Sequence, residues 1–125
     1  MDVGVLGNKA VREEMGRILK GFQAVLVGSD SLEELRRRAG SWRPQVVIVD
    51  LDSQGIDLST FSRLEAWAGP AAVVALSRRP FHPELREAFE KHIRVCLRKP
   101  VDRDELWLWL RAFGRCDRLE EEEGS

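Results

Sequence analysis

Five strand-length apolar runs, at residues 3–6, 22–27, 46–51, 71–76 and 93–97, recur at intervals of about twenty-odd residues. Between them the spacing becomes helical. Val11, Met15, Ile18 and Leu19 form one face behind Asn8, a capping residue, and Gly21 suits the stop. Leu32, Leu35 and Ala39 repeat the pattern behind Ser31, and Phe61, Leu64 and Ala68 follow Ser59 and end at Gly69-Pro70. Leu85, Ala88, Phe89 and His92 follow Pro83, and Leu106, Leu110 and Phe113 follow Pro100. The pattern is (βα)5. Alternation of this kind implies a parallel sheet with right-handed crossovers and helices on both faces. Residues 46–49 are continuously apolar, as a central strand covered on both sides must be; residues 93–98 alternate, as an edge strand with one wetter face does.

A chain of 125 residues is long enough for one domain that buries roughly two-thirds of its unfolded surface. We assign residues 1–116 to that domain and 117–125, with its glutamate run, to an acidic, solvated and flexible tail. Twenty Lys and Arg against twenty-one Asp and Glu leave a net charge of −1, so no global field draws in nucleic acid or anionic lipid. No apolar run approaches the roughly 18 residues of a membrane span, and the start Met1-Asp2-Val3-Gly4 lacks a basic signal region; the expected compartment is the cytoplasm. Cys96 and Cys116 lack C-x-x-C spacing, so neither a zinc site nor a disulfide framework is expected. His82 and His92 have no paired ligand, and His82 is assigned to the turn before Pro83. No nucleotide-binding glycine loop or hydrolase motif occurs, and no enzyme activity is expected.

Open parallel sheets gather their functional groups at the carboxyl ends of the strands. Here the first strand ends in Gly7-Asn8, the third in Asp50 with Asp52 two residues on, the fourth in Ser77-Arg78 and the fifth in Lys99-Pro100. One carboxylate, one hydroxyl and one ammonium can therefore converge. The stretch from Arg43 to Leu51, which runs through Val46-Val47-Ile48-Val49-Asp50, resembles the segment of response-regulator receiver domains that ends in the phosphoacceptor aspartate. Val73-Val74-Ala75-Leu76-Ser77 is similar to the strand ending in that family's Thr or Ser, and Leu97-Arg98-Lys99-Pro100 resembles its Lys-Pro signature. The resemblance covers about residues 2–115. It implies a flavodoxin-like α/β three-layer sandwich with strand order 2-1-3-4-5. It also implies a two-component signalling module in which a histidine kinase transfers a phosphoryl group to Asp50. By the same resemblance Ser77 and Lys99 contact the phosphoryl oxygens, and Asp52 supplies a carbonyl to Mg²⁺.

The family's acidic pair at the end of the first strand is replaced by Gly7 and Asn8. Asp50 and Lys99 sum to zero; Asp52 makes the sum −1, and Arg78 returns it to zero. Such a sum recruits Mg²⁺ poorly, because this ion is bound through carboxylates and sheds its water reluctantly. Arg78 also stands where a small residue is usual, so its guanidinium is expected in the phosphoryl space. Cys96 replaces the usual switch aromatic, and Gln54 the usual Pro. The leading expectation is an atypical receiver with no metal or cofactor, with Asp50 paired to Lys99. The alternative is a working phosphoacceptor in which Asp50, Asp52 and Asn8 hold a weaker Mg²⁺. An unrelated flavodoxin-like cofactor binder would need a phosphate-cradling loop that the chain lacks.

Partners are expected to be signalling proteins, either a histidine kinase or a downstream target. In the last helix Leu106, Leu110 and Phe113 cluster within about 60°, Leu108 lies nearly opposite, and Trp107 and Trp109 flank the stripe. Together with Cys96 on the fifth strand, Trp107, Leu108 and Trp109 form a candidate face for a partner or a homodimer. The basic group Arg36, Arg37, Arg38 and Arg43 is read as a solvated surface.

Overall fold

Side chains that cap their own helices set where the first three crossovers begin. In the computed structural model, which describes the backbone of residues 1–80 and 82–124 and the side chains of 1–80 and 82–114, strand β1 (Asp2–Leu6) leads into α1 (Lys9–Ile18). Asn8 Oδ1 accepts from the Val11 N–H, the expected cap. Ser31 does the same for α2 (Leu32–Ala39), which follows β2 (Val25–Ser29). β3 (Val46–Asp50) is followed by α3 (Leu58–Ala68), and β4 (Ala72–Ser77) by a short 3-10 turn (Pro83–Leu85) and α4 (Arg86–Lys91). β5 (Ile93–Arg98) and α5 (Arg103–Gly124) complete the chain.

All strands pair in parallel in the order β2-β1-β3-β4-β5, so the flavodoxin-like sandwich is the observed fold. Every residue of β3 is buried, and β5 alternates at its edge. One layer of core lies between Val5, Ile48 and Val74 of the sheet and Met15, Leu106 and Leu110 of α1 and α5. The other lies between Val47, Val49 and Ala75 and Leu35, Phe61, Leu64 and Ala88 of α2, α3 and α4. Register places Leu6 beside Val49, Asp50 beside Leu76, and Ser77 beside Arg98, which aligns the carboxyl ends in one row. No helix among the described residues is long and apolar enough to cross a membrane.

Three local expectations differ from the structure. The second strand starts at Val25 instead of residue 22, because the Phe22 N–H bonds to the Leu19 carbonyl and prolongs the end of α1 as a turn. The cap of α3 is Asp57 rather than Ser59: Asp57 and Thr60 form a reciprocal capping box, and the Ser59 hydroxyl donates to Asp57. The backbone of α5 runs into the segment assigned to a tail, although the side chains of 117–125 lie outside the described residues.

Trp107 does not join an exposed face. Its Nε1–H donates to the Ile18 carbonyl at 2.9 Å, and its ring meets Phe22 edge-on with centroids 5.3 Å apart. It ties α5 to the end of α1, where an otherwise unpaired helix carbonyl needs a donor. Trp107→Phe keeps the ring contact and loses that hydrogen bond; it is expected to lower unfolding free energy by about 1 kcal/mol, seen as a lower urea midpoint at unchanged slope.

Candidate functional site

A carboxylate at the end of a fully buried strand needs partners for each oxygen, because a charge withdrawn from water is costly until hydrogen bonds and counter-charge replace it. Asp50 is buried, and all its partners come from the loops beyond the strand ends. Oδ1 accepts from Lys99 Nζ at 2.6 Å and from the Asp52 N–H at 3.1 Å. Oδ2 accepts from the Ser53 hydroxyl at 2.5 Å, and Ser53 Oγ in turn accepts the Asn8 N–H at 3.0 Å. Lys99 Nζ also lies 3.0 Å from Asp52 Oδ2, so one ammonium serves two carboxylates. The Asp52 carboxylate accepts a further bond from the Arg78 N–H at 2.9 Å.

Arg78 enters the site through its backbone N–H, and its side chain is exposed. Burial alone would raise the Asp52 pKa, but the hydrogen bonds from Lys99 and from the Arg78 N–H together hold it below its ordinary value. For Lys99 burial pulls the other way, and the bonds to Asp50 and Asp52 outweigh it, so its pKa is raised.

Gly7 lies against Asp50. A Cβ on it would stand 3.0 Å from the Asp50 Cβ and 3.3 Å from Val11 Cγ1, so any larger residue there would press on Asp50. The side-chain oxygen of Asn8 is committed to capping α1. The donor set does not fit Mg²⁺. Asp50 and Asp52 share an ammonium, Asn8 is turned into its helix, Gly7 offers no side chain, and a hard dication needs free oxygen ligands. Among the described residues no cluster of three or more acidic, His or Cys side chains could hold a metal.

Ser77 is buried at the end of β4 but makes no hydrogen bond to Asp50. Its hydroxyl donates to the Arg79 carbonyl at 3.0 Å, accepts the Arg79 N–H at 3.0 Å and pairs with His82 Nε2. His82 is itself buried, and its ring stacks on Phe89 of α4 with centroids 6.0 Å apart. Ser53 and His82 are thus site residues that sequence reasoning missed. Ser53 stands three residues beyond Asp50, within reach of a turning loop, which is a usable signal; His82 sits in an irregular segment without a periodic cue.

Of the candidate surface residues, Leu108 is 65% exposed and Trp109 36%, the latter stacked on Phe113. Cys96 is an exposed free thiol on β5, and desolvation followed by the Asp52 charge raises its pKa, which suppresses the reactive thiolate. In the basic group on α2 and the loop after it, Arg37 and Arg38 bond to Glu34, and Arg43 to the Gly40 and Trp42 carbonyls.

The fold is that of receiver domains. It is similar to the signal receiver domain of an HD domain-containing protein from Pseudomonas fluorescens, with a TM-score of 0.80 at 19% identity over 97% of this chain and 90% of that one. It is also similar to a response regulator receiver domain protein from Clostridium thermocellum, with a TM-score of 0.76 at 18% identity over 94% and 97%. A third is the receiver domain of a sensor histidine kinase from Pseudomonas aeruginosa, solved with a magnesium ion coordinated in its active site cleft, with a TM-score of 0.71 at 16% identity over 90% and 95%. The chain matches no family model, and no curated protein matches it.

Lys99→Met removes the counter-charge and strands two carboxylates, a loss expected to cost about 3 kcal/mol or more. Because the Asp52 pKa is lowered on folding, its contribution is present above its unfolded value of 3.8 and lost as pH falls through the folded value. Because the Lys99 pKa is raised, its contribution is complete below 10.5 and lost as pH rises through the folded value. Urea unfolding as a function of pH is therefore expected to show an acid and an alkaline loss, both diminished in Lys99→Met.

Proposed function

We propose that this protein is a non-enzymatic receiver module of two-component signalling that acts in the cytoplasm through protein contact, with Asp50 held in an internal ion pair instead of a phosphorylation cycle. The single observation that carries this reading is that both oxygens of Asp50 are occupied by the chain's own donors, Lys99 and the Asp52 N–H on one and Ser53 on the other. Phosphoryl transfer is catalysed by positioning and by charge stabilisation of the transferring group. The attacking oxygen would first have to give up a hydrogen bond from Ser53 or Lys99. The dication that usually shields the approach of two anions would have to compete with Lys99 for Asp50 and Asp52. Gly7 and Asn8 add no charge to help it. The receiver fold thereby keeps its shape while the chemistry at its strand ends is quenched.

The second reading, a working phosphoacceptor, is favoured by one feature: Asp50, Ser77 and Lys99 stand at three adjacent strand ends. The two readings separate under acetyl phosphate with Mg²⁺. Intact-mass measurement is expected to show no stoichiometric gain of a phosphoryl group; a gain that disappears in Asp50→Asn establishes the phosphoacceptor instead.

Contact is assigned to the exposed part of α5, where Leu108 and Trp109 present apolar surface that folding does not use. Its partner is a signalling protein, a kinase or a target, or a second copy of the chain. Leu108→Glu is expected to leave the unfolding free energy within about 0.5 kcal/mol of the parent. It should weaken self-association or partner binding by about tenfold or more, measured by sedimentation and titration calorimetry. Unchanged association rejects this face.

A further inference from the structure

We propose that His82 is the positioning residue that holds the Ser77 hydroxyl away from Asp50 and carries the position of that hydroxyl to α4. This rests on the receiver reading but concerns a contact that Asp50 chemistry does not decide. The roles within the contact follow from its partners. Arg79 Nη2 lies 2.7 Å from His82 Nδ1, and a guanidinium can only donate, so Nδ1 accepts. The ring proton then sits on Nε2, and Nε2–H donates to Ser77 Oγ. Arg79 is held in turn by Glu84 at 2.6 Å, with that carboxylate 3.6 Å from Nδ1.

The Ser77 hydroxyl is thereby saturated. It accepts from the Arg79 N–H and from His82, and it donates to the Arg79 carbonyl. Turning toward Asp50 breaks these bonds and leaves the Nε2–H of a buried imidazole without an acceptor, so His82 has to move with it. The ring cannot move alone, because it lies stacked on Phe89, with planes 21° apart. Phe89 belongs to a helix of six residues whose start has no side-chain cap, so packing carries much of the placement of α4. Ser77, His82 and Phe89 thus form one path of contact from the strand ends to the surface helix.

The test uses the full chain labelled with ¹⁵N. Histidine ring spectra are expected to show His82 with a bare Nδ1 and a slowly exchanging Nε2 proton, and that proton signal is expected to vanish in Ser77→Ala. The Ala88 and Phe89 amides should shift in Ser77→Ala. That response should fall several-fold in a His82→Phe background, which keeps a ring against Phe89 but has no donor, and return in His82→Gln, which retains a donor. A proton on Nδ1, or an equal response of α4 to Ser77→Ala with His82→Phe in place, overturns the proposal. If His82→Phe does not fold, the ring tautomer and its dependence on Ser77 decide alone. Phosphoryl labelling of Asp50 with the His82 signature intact overturns only the quenched-receiver reading, which keeps the two failures apart.

Discussion

The ion pair between Lys99 and the buried Asp50 is the constraint around which the strand ends are arranged. An isolated carboxylate at that depth would be expelled or neutralised. It persists because three loops each bring a donor: the one after β3 through Asp52 and Ser53, the one after β5 through Lys99, and the one after β1 through the Asn8 N–H behind Ser53. Those loops can meet only because parallel strands end on the same side of the sheet. The parallel strand direction and the ion pair are therefore not independent features. Reversing β5 would carry Lys99 to the opposite end of the sheet, and Asp50 without Lys99 would leave an uncompensated charge in a fully buried strand.

The chain's near-neutral total charge conceals this local economy. Two acidic and one basic group share the centre of the site, with a formal sum of −1 for Asp50, Asp52 and Lys99. Backbone N–H groups of Asp52 and Arg78 supply the rest of the compensation as dipoles instead of charges. Counting side-chain charges along the sequence does not register these backbone contributions. What Arg78 adds to the stabilisation of Asp52 by Lys99 is its peptide N–H, which every residue but proline possesses.

The same distinction separates what the sequence disclosed from what it withheld. Periodicity is a property of regular elements, so the five strands and the helical faces of Val11 and Met15 or Leu32 and Leu35 could be read directly, as could the caps at Asn8 and Ser31. The α3 cap was misplaced because Ser59 and Asp57 are both good capping residues, and only the backbone angles choose between them. Asp50, Ser77 and Lys99 were found because they end apolar runs. Ser53 and His82 lie in irregular loops, where no period marks which way a side chain points, and their roles follow from the turns that carry them into the site. Trp107 shows the complementary limit: helical angles put it beside the core stripe, but only the position of the α1 terminus turns its indole into a hydrogen-bonded tether.

Two hydrogen-bond networks meet at the strand ends without sharing a side chain. One runs through Asn8, Ser53, Asp50, Lys99 and Asp52; the other through Ser77, Arg79, His82 and Glu84. They touch through main-chain links: the Lys99 N–H donates to the Ser77 carbonyl, and the Arg78 N–H to Asp52. Main-chain links of this kind transmit displacement but not protons or charge. A displacement of α4 can therefore reach the peptide that supports Asp52, and a disturbed ion pair can shift the start of the segment that carries His82, while neither network needs to change its protonation.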